Sequence, residues 1–548
     1  MKNDQNTPQH MTGGDAIVNG LKHHHVDTVF ALPGAQIYGL TDALARHSEA
    51  IRTIGARHEQ TSAYMAYGYA RSTGQPGVCA VVPGPGILNA SAALLTAHGC
   101  NAPVLALTGD VESAYKDRGR GQLHELPRQL DILGHIGKWS AHIEQPCDAP
   151  WLVARAFQEM TSGRQGMVAL QAGWDFFTRT ARVDGVAPLA RKPKPPVDTD
   201  AIDAAAKLLQ NCRAPMIFVG SGASDAAPEV RELAETLGAP VVSFRGGRGI
   251  MADDHPLGFN VVSGARLWPQ TDVAIVIGSR FELLDIRWNY RPQGLKIIRI
   301  DIDAGEVRRL KADINIISDA SDGARALISA VSATGTPPRR DQTLAETKEI
   351  AAAAIKKIQP QVSYLQAIRE VLPRDGIFID EVSQVGFTAI FGLPMYQPRT
   401  FISSGHQGTL GYGFPTALGV KVANPGIAVL SICGDGGFMF AAQELATAVQ
   451  YNINLVTVVF NNQSYGNVYR DQQQSFAGRF IGSELVNPDF VKFAEAFGVQ
   501  GIRVTTPQML RQALEQAFAA DKPVLIEVAV ARGSDSNPWK FLHPQFND

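Results

Sequence analysis

The chain has 548 residues, of which 45% are apolar and 19% charged, and its formal net charge is −2. That length exceeds a single hydrophobic core and predicts roughly three domains. Near-neutral charge supplies no field that would draw the protein to nucleic acid or to a membrane surface. The first ten residues are polar, and no run of about 18 uninterrupted apolar residues occurs. No nucleic-acid partner, no membrane partner and a cytoplasmic location are therefore expected. Cys79, Cys100, Cys147, Cys212 and Cys433 are scattered, without a CxxC or Cys/His spacing. They read as unpaired thiols in a reducing compartment.

Residues 1–186 alternate strand and helix patterns, with strands expected at 28–32, 77–82 and 103–107 and helices at 61–71 and 88–98. His23, His24 and His25 resemble a metal tract, but consecutive residues on a helix point in different directions. A helix C-terminus that favours cations explains them better. A Lys/Pro-rich stretch at 191–196 has the composition of a stiff, solvated linker. A second α/β segment, 197–334, carries apolar strand patterns at 216–219, 241–244, 273–277 and 297–300, and a Gly/Pro/Arg break follows at 335–340. The third segment, 358–548, begins its strands at 376–379. Repeated strand–helix units in all three predict an α/β protein of three doubly wound parallel-sheet domains.

In the third segment two buried-strand patterns, 428–433 and 454–460, run into Gly434-Asp435-Gly436-Gly437 and Asn461-Asn462, with a helical pattern over 441–451 between them. The polar residues thus collect where parallel strands end, the edge at which such sheets bind ligands. Asp435 and Asn462 supply hard oxygens suited to a magnesium-type ion, and the glycines let a diphosphate approach backbone N–H groups. An ordinary βα turn is the bland alternative.

A GDG tripeptide followed at this distance by NN resembles the diphosphate/metal motif of thiamine diphosphate (ThDP) enzymes. The resemblance extends over nearly the whole chain, in the order of the pyrimidine-binding, central and diphosphate-binding domains of the acetolactate synthase-like, 2-oxo acid decarboxylase group. It is carried by Arg57-His58-Glu59-Gln60 with Ala66-Tyr67-Gly68-Tyr69-Ala70-Arg71 and Gly74, and by Val29-Phe30 with Pro33-Gly34. Further matches are Pro83-Gly84-Pro85-Gly86 with Asn89-Ala90, then Gly278-Ser279-Arg280, Asp301-Ile302-Asp303, and the run from Gly408 to Pro415.

The resemblance implies roles residue by residue. Glu59 is the glutamate that hydrogen-bonds the cofactor's aminopyrimidine ring, and its apolar sequence neighbours suggest burial that would raise its pKa. A surface glutamate in a polar turn is the alternative. Asp435, Asn462 and the Ser464 carbonyl would hold Mg²⁺. Leu410 lies where a bulky apolar residue supports the bent cofactor, although on composition it is merely a core leucine. Val382, Ser383 and Gln384 match a segment that touches the diphosphate, and Gly408, Gly434, Gly436, Gly437 and Tyr465 complete the cofactor set. Arg120, Gln122 and His124 fall where relatives place substrate-facing side chains, with solvated loop residues as the competing reading. Gln36 and Asn467 are the other substrate candidates. The aromatic and basic stretch 538–543 either caps the site or docks on the domain surface.

The chain also departs from the group. Gly34-Ala35-Gln36 replaces the Gly-Gly-Ala turn of acetolactate synthases, and Ala35 and Val82 stand where benzoylformate decarboxylases have a serine and, nearby, a histidine. Only His124 marks the loop where pyruvate decarboxylases carry two adjacent histidines. Phe244 to Gly249 and Phe259 to Gly264 only partly resemble flavin-contacting loops, so Arg245 and Arg248 read as binding a phosphate-bearing cofactor or nothing. The expected activity is ThDP- and Mg²⁺-dependent decarboxylation or carboligation of a small 2-oxo acid by a homodimer or homotetramer. The alternatives are an FAD-containing ThDP oxidase or synthase, with FAD unsupported by a motif of its own, and a non-catalytic cofactor-binding relative. A nicotinamide dehydrogenase is disfavoured, since no GxGxxG opens a helix after a first strand.

Overall fold

Three six-stranded sheets, parallel throughout, carry the chain. The computed structural model describes residues 9–546. Residues 1–8, most of the polar start noted above, lie outside the described residues. The first sheet runs Arg52–Gly55, Thr28–Ala31, Gly77–Val81, Val104–Asp110, Val168–Gly173, Trp139–Ile143. The third repeats that order with Phe401–Ile402, Ile377–Ile379, Val429–Gly434, Val456–Asn461, Val524–Ala529 and Gln500–Val504. The central sheet is Gly258–Phe259, Val241–Ser243, Pro215–Val219, Val273–Ile277, Lys296–Asp301, Ile314–Ile317. Strands such as Val273–Ile277 are apolar and buried along their whole length, as a sheet covered on both faces requires.

In each sheet the chain starts on an interior strand, winds to one edge, and then crosses to that strand's other side. The crevice at such a reversal is where open α/β sheets take ligands. The three reversals fall between Thr28–Ala31 and Gly77–Val81, between Pro215–Val219 and Val273–Ile277, and between Ile377–Ile379 and Val429–Gly434.

The first and third domains share one core, in which Phe30, Tyr64 and Met65 pack with Ile379, Phe414 and Leu418. Its axis is the crossing of helix Glu59–Thr73 with helix Gly413–Ala423. A Cβ on Gly68 would lie 2.2 Å from the Thr416 carbonyl oxygen, and one on Gly419 would lie 2.0 Å from that of Met65. The two backbones therefore touch, and only glycine allows it.

Several elements were not foreseen. Gln9–Thr12 pairs antiparallel with Thr180–Val183, tying the start of the described chain to the end of the first domain. The break at 335–340 is followed by helix Asp341–Ile355. The histidine tract does end a helix, Gly13–His23, but His24 stacks on Phe157 at 4.0 Å, and burial pushes its pKa down to about 4. His24 is therefore neutral at pH 7 and is not a cation at a helix end. Among the described residues no helix is long and apolar enough to cross a membrane.

Candidate active site

At the reversal of the third sheet, strand Val429–Gly434 delivers Asp435 and strand Val456–Asn461 delivers Asn462 to the same edge. Asp435 is buried, its Oδ1 accepting from Gly436 N (3.0 Å) and its Oδ2 from Asn487 Nδ2 (2.8 Å). Burial pushes this carboxyl above its usual range, against the pull of the Asn487 hydrogen bond. Asn462 Oδ1 accepts from Ser464 N and Oγ, at 3.1 and 2.9 Å. One carboxylate, one amide oxygen and a serine form a hard-oxygen donor set that fits Mg²⁺ with room for diphosphate oxygens. Among the described residues no group of three His, Cys, Asp or Glu side chains could hold a metal.

A pocket of about 370 Å³ gathers Val382, Ser383, Gln384, Leu410, the four residues Gly434 to Gly437, Asn462, Ser464, Tyr465 and Asn467. Gly408 is the one cofactor candidate outside it, in a left-handed turn two residues before Leu410. Ser383 caps helix Gln384–Gly392, its Oγ accepting from Gly386 N, so the helix start faces the pocket where an anion gains from the dipole. A Cβ on Gly436 would meet the Tyr465 ring at 2.3 Å, so that wall admits nothing larger than glycine.

Two supports of this pocket, Asn487 and Asp535, were not legible from local sequence. Asn487 donates to both Asp435 Oδ2 and Asn461 Oδ1, Asn461 donates to Glu527, and Glu527 accepts from Arg503. The first asparagine of the NN pair thus belongs to an outer shell around Asp435. Asp535 lines the pocket and is hydrogen-bonded by Asn462. The stretch 538–543 both reaches the site and docks on the surface. Trp539 Nε1 donates to Asn467 Oδ1 (2.8 Å), while His543 Nε2 lies 3.0 Å from Arg287 Nη1 of the central domain. Outer-shell partners orient metal ligands, so Asn487→Ala is expected to weaken Mg²⁺ binding about 10- to 100-fold. Titration of Mg²⁺-dependent cofactor retention measures this, and an unchanged midpoint would relegate Asn487 to a loop contact.

The first sheet's reversal gathers a second set. Gln36 is buried, its Nε2 donating to Leu123 O (2.9 Å) and its Oε1 without a partner among the described residues. The His124 backbone packs against Gly84, and His124 Nδ1 is likewise buried and unpartnered. Gln122 shares this loop, held by its backbone N–H to Glu125, whereas Arg120 lies exposed on it. Glu59 opens helix Glu59–Thr73 and accepts from Asn89 Nδ2 (3.0 Å). Arg57 N, just before that helix, donates to the buried Glu444 of the third domain. The burial expected for Glu59 is not supplied by this chain alone, since Glu59 stays partly exposed in the helix's first turn.

The two sets stand apart within one chain. Helix Pro85–Gly99 has Gly86 beside Glu59 at one end. Near its other end Thr96 Oγ1 is 3.0 Å from Thr409 Oγ1, next to Leu410. From Gly86 to Thr96 is about 15 Å along the axis. Leu88 and Leu95 on this helix, with Met439 and Phe440 after the GDGG turn, are large apolar side chains left exposed.

The central reversal opens a cleft of about 470 Å³ lined by Gly220, Gly222, Gly278, Arg280, Asp301 and Arg245, among others. Arg245 pairs with Glu282 at 3.1 Å. Arg248 is buried on Asp253 (2.8 Å) and does not line the cleft, so of the two arginines only Arg245 is placed to meet a ligand.

Three domain families match in order. They are described as the N-terminal TPP binding domain (residues 11–132), the central domain (202–327) and the C-terminal TPP binding domain (381–528) of thiamine pyrophosphate enzymes. A probable acetolactate synthase large subunit of Methanocaldococcus jannaschii is 33% identical, covering 95% of this chain and 92% of its own length. A probable 2-ketoarginine decarboxylase of Pseudomonas aeruginosa is 31% identical over 94% of each chain. The acetolactate synthase large subunit of Parasynechococcus marenigrum is 30% identical over 98% of this chain and 90% of its own.

Proposed function

As the chain belongs to the thiamine pyrophosphate enzyme family, we propose that it is a ThDP- and Mg²⁺-dependent decarboxylase or carboligase acting on a small 2-oxo acid. The observation that carries this reading is the single pocket that brings Leu410, the GDGG turn, Asn462 and Ser464 together. When bound, the cofactor supplies a nucleophilic carbon and an electron sink for carboxylate loss. The chain's own residues do the rest. Asp435, Asn462 and Ser464 would hold the cation that neutralises the diphosphate, and the Ser383-capped helix start would favour its negative charge. Leu410 supports the ring system. Glu59, oriented by Asn89, holds a proton at the aminopyrimidine. Gln36 and His124 offer unpartnered polar atoms for the substrate. A non-catalytic relative would need the diphosphate and metal set but not Glu59. The deciding experiment is a screen of 2-oxo acids with ThDP and Mg²⁺, scoring both CO₂ release and condensed products. Absence of any ThDP-dependent turnover across the screen would overturn the reading.

The active unit in this reading is a homodimer or a dimer of dimers, with Glu59 of one copy facing the diphosphate pocket of another. Support comes from the helix that separates the two sets in one chain and from the apolar residues exposed beside each. Glu59→Gln and Asp435→Ala chains, each inactive alone, should regain activity when co-expressed. A hybrid dimer carries one intact site of two, and random mixing gives about a quarter of the wild-type rate. A fully active monomer, or no recovery in verified hybrids, would remove the idea.

A second reading adds FAD in the central cleft, favoured by its glycine-rich reversal and the adjacent Arg245 and Arg280. Yellow colour and a flavin absorption spectrum in the purified protein would support it, and a colourless protein that turns over fully would not.

A further inference from the structure

Glu381 lies one layer beneath the cofactor pocket. Its Oε1 accepts from Val382 N (3.0 Å) and its Oε2 from Gly413 N (2.9 Å), with Gly411 N also donating. Val382, Leu410 and Gly437 line the pocket, and a Cβ on Gly437 would lie 3.3 Å from the Glu381 carboxyl carbon. This one side chain therefore ties together the three segments that form the pocket floor, bonding on the C-terminal side of Leu410.

A fully buried carboxylate normally has a cation beside it. Among the described residues Glu381 has only backbone amides, and burial pushes its pKa up to about 7. The titratable groups around it add no positive charge. Asp380 is the next residue, buried and bonded by Tyr412. Cys433 on the neighbouring strand and Tyr64 on helix Glu59–Thr73 are both pushed up, mainly by burial. Arg245, a cation of this region, acts on Asp380. An ionisable acid without a cationic partner among the described residues, under a floor expected to receive a cationic thiazolium ring, is a half-made ion pair.

We propose that Glu381 is the counter-charge of the cofactor's cationic ring, so that seating the ring over Leu410 drives the carboxyl to release its proton. This rests on the ThDP reading above. An opposite charge within a few ångströms favours the ionised acid, and the backbone amides already in place solvate the resulting carboxylate. The coupling runs both ways: a protonated Glu381 weakens the hold on a cationic ring, while a neutral ring is indifferent to it.

The test is calorimetric titration of the apo-protein at saturating Mg²⁺, in pairs of buffers with different ionisation heats. Two ligands are compared, ThDP and thiamine thiazolone diphosphate, which shares the diphosphate but has an uncharged ring. Protons released from the diphosphate and the metal set cancel in the difference. At pH 7 ThDP should release about half a proton more per site than the neutral-ring analogue. The difference should vanish at pH 9, where the carboxyl is already ionised, and should vanish at all pH values in Glu381→Gln. Equal release by the two ligands in the wild type at pH 7 would overturn the proposal, and this comparison does not depend on the variant folding. Failure of both ligands to bind would overturn the cofactor assignment itself.

Discussion

Glu59→Gln should bind ThDP and Mg²⁺ as the wild type does and yet turn over at least about 100-fold more slowly, the usual loss on removing a general acid–base group. Binding should survive because the residues proposed to hold the diphosphate and metal are untouched: they belong to the third domain, and Glu59 opens a helix of the first domain. The fold survives because glutamine keeps the side-chain volume and can still accept from Asn89 Nδ2. The buried Glu444 continues to hold Arg57 N ahead of the helix. What is lost is the transferable proton. Glu59→Asp should recover little, because withdrawing the carboxylate by one methylene breaks its reach. Hydrogen–deuterium exchange at the thiazolium carbon, followed by NMR after acid quench at saturating cofactor, should slow in parallel with turnover. Equal exchange in wild type and Glu59→Gln would return Glu59 to an ordinary helix-start glutamate.

Asp435→Ala should lose cofactor retention altogether. Of the three groups proposed to hold the ion only Asp435 is a carboxylate, so its removal would leave Asn462 and Ser464 to hold a doubly charged ion with neutral oxygens. Without the ion the diphosphate places unneutralised negative charge in a buried site. The side chain is also buried, and Asn487 loses an acceptor when it goes, so a modest fall in stability should accompany the loss. Equilibrium dialysis of ThDP with and without Mg²⁺ measures the effect, with thermal melting to show that the variant folds. ThDP-dependent turnover by Asp435→Ala in metal-depleted buffer would count decisively against the metal assignment.

What could be read from the sequence divides along the range of the interactions. The strand patterns at 273–277, 428–433 and 454–460 are local and self-sufficient, and each is a buried strand to within about two residues. The Gly434 turn and the Asn461-Asn462 pair were legible for the same reason: turn chemistry at strand ends needs no distant partner. Asn487 and Asp535 were not legible, since the Asp435 that Asn487 serves is 52 residues away and no spacing rule connects them. Glu381 stood beside a recognised segment without being singled out. What distinguishes it is burial beneath a floor assembled from three separate stretches. The partial exposure of Glu59 within one chain was not legible, because apolar sequence neighbours report which helix face is buried, not whether its first residue is covered. Arg248 and Arg245 look alike in sequence, and only the fold sends one to Asp253 and leaves the other at the cleft.

The crossing at Gly68 and Gly419 has a mechanical meaning. Where two helices meet backbone to backbone, no side chain lies between them to change rotamer, and a small rotation drives atoms already in contact into one another. Such a joint has almost no compliance. That joint holds the first and third domains against sliding or rotating over one another at the crossing. The segment bearing Asp535 and Trp539 braces this frame against the central domain: Asp535 and Trp539 bond to Asn462 and Asn467 at the pocket, Leu542 is buried in the core, and Phe546 stacks on Tyr290. A stiff frame braced in this way fixes the spacing of Asp435, Asn462 and Asp535 around the pocket.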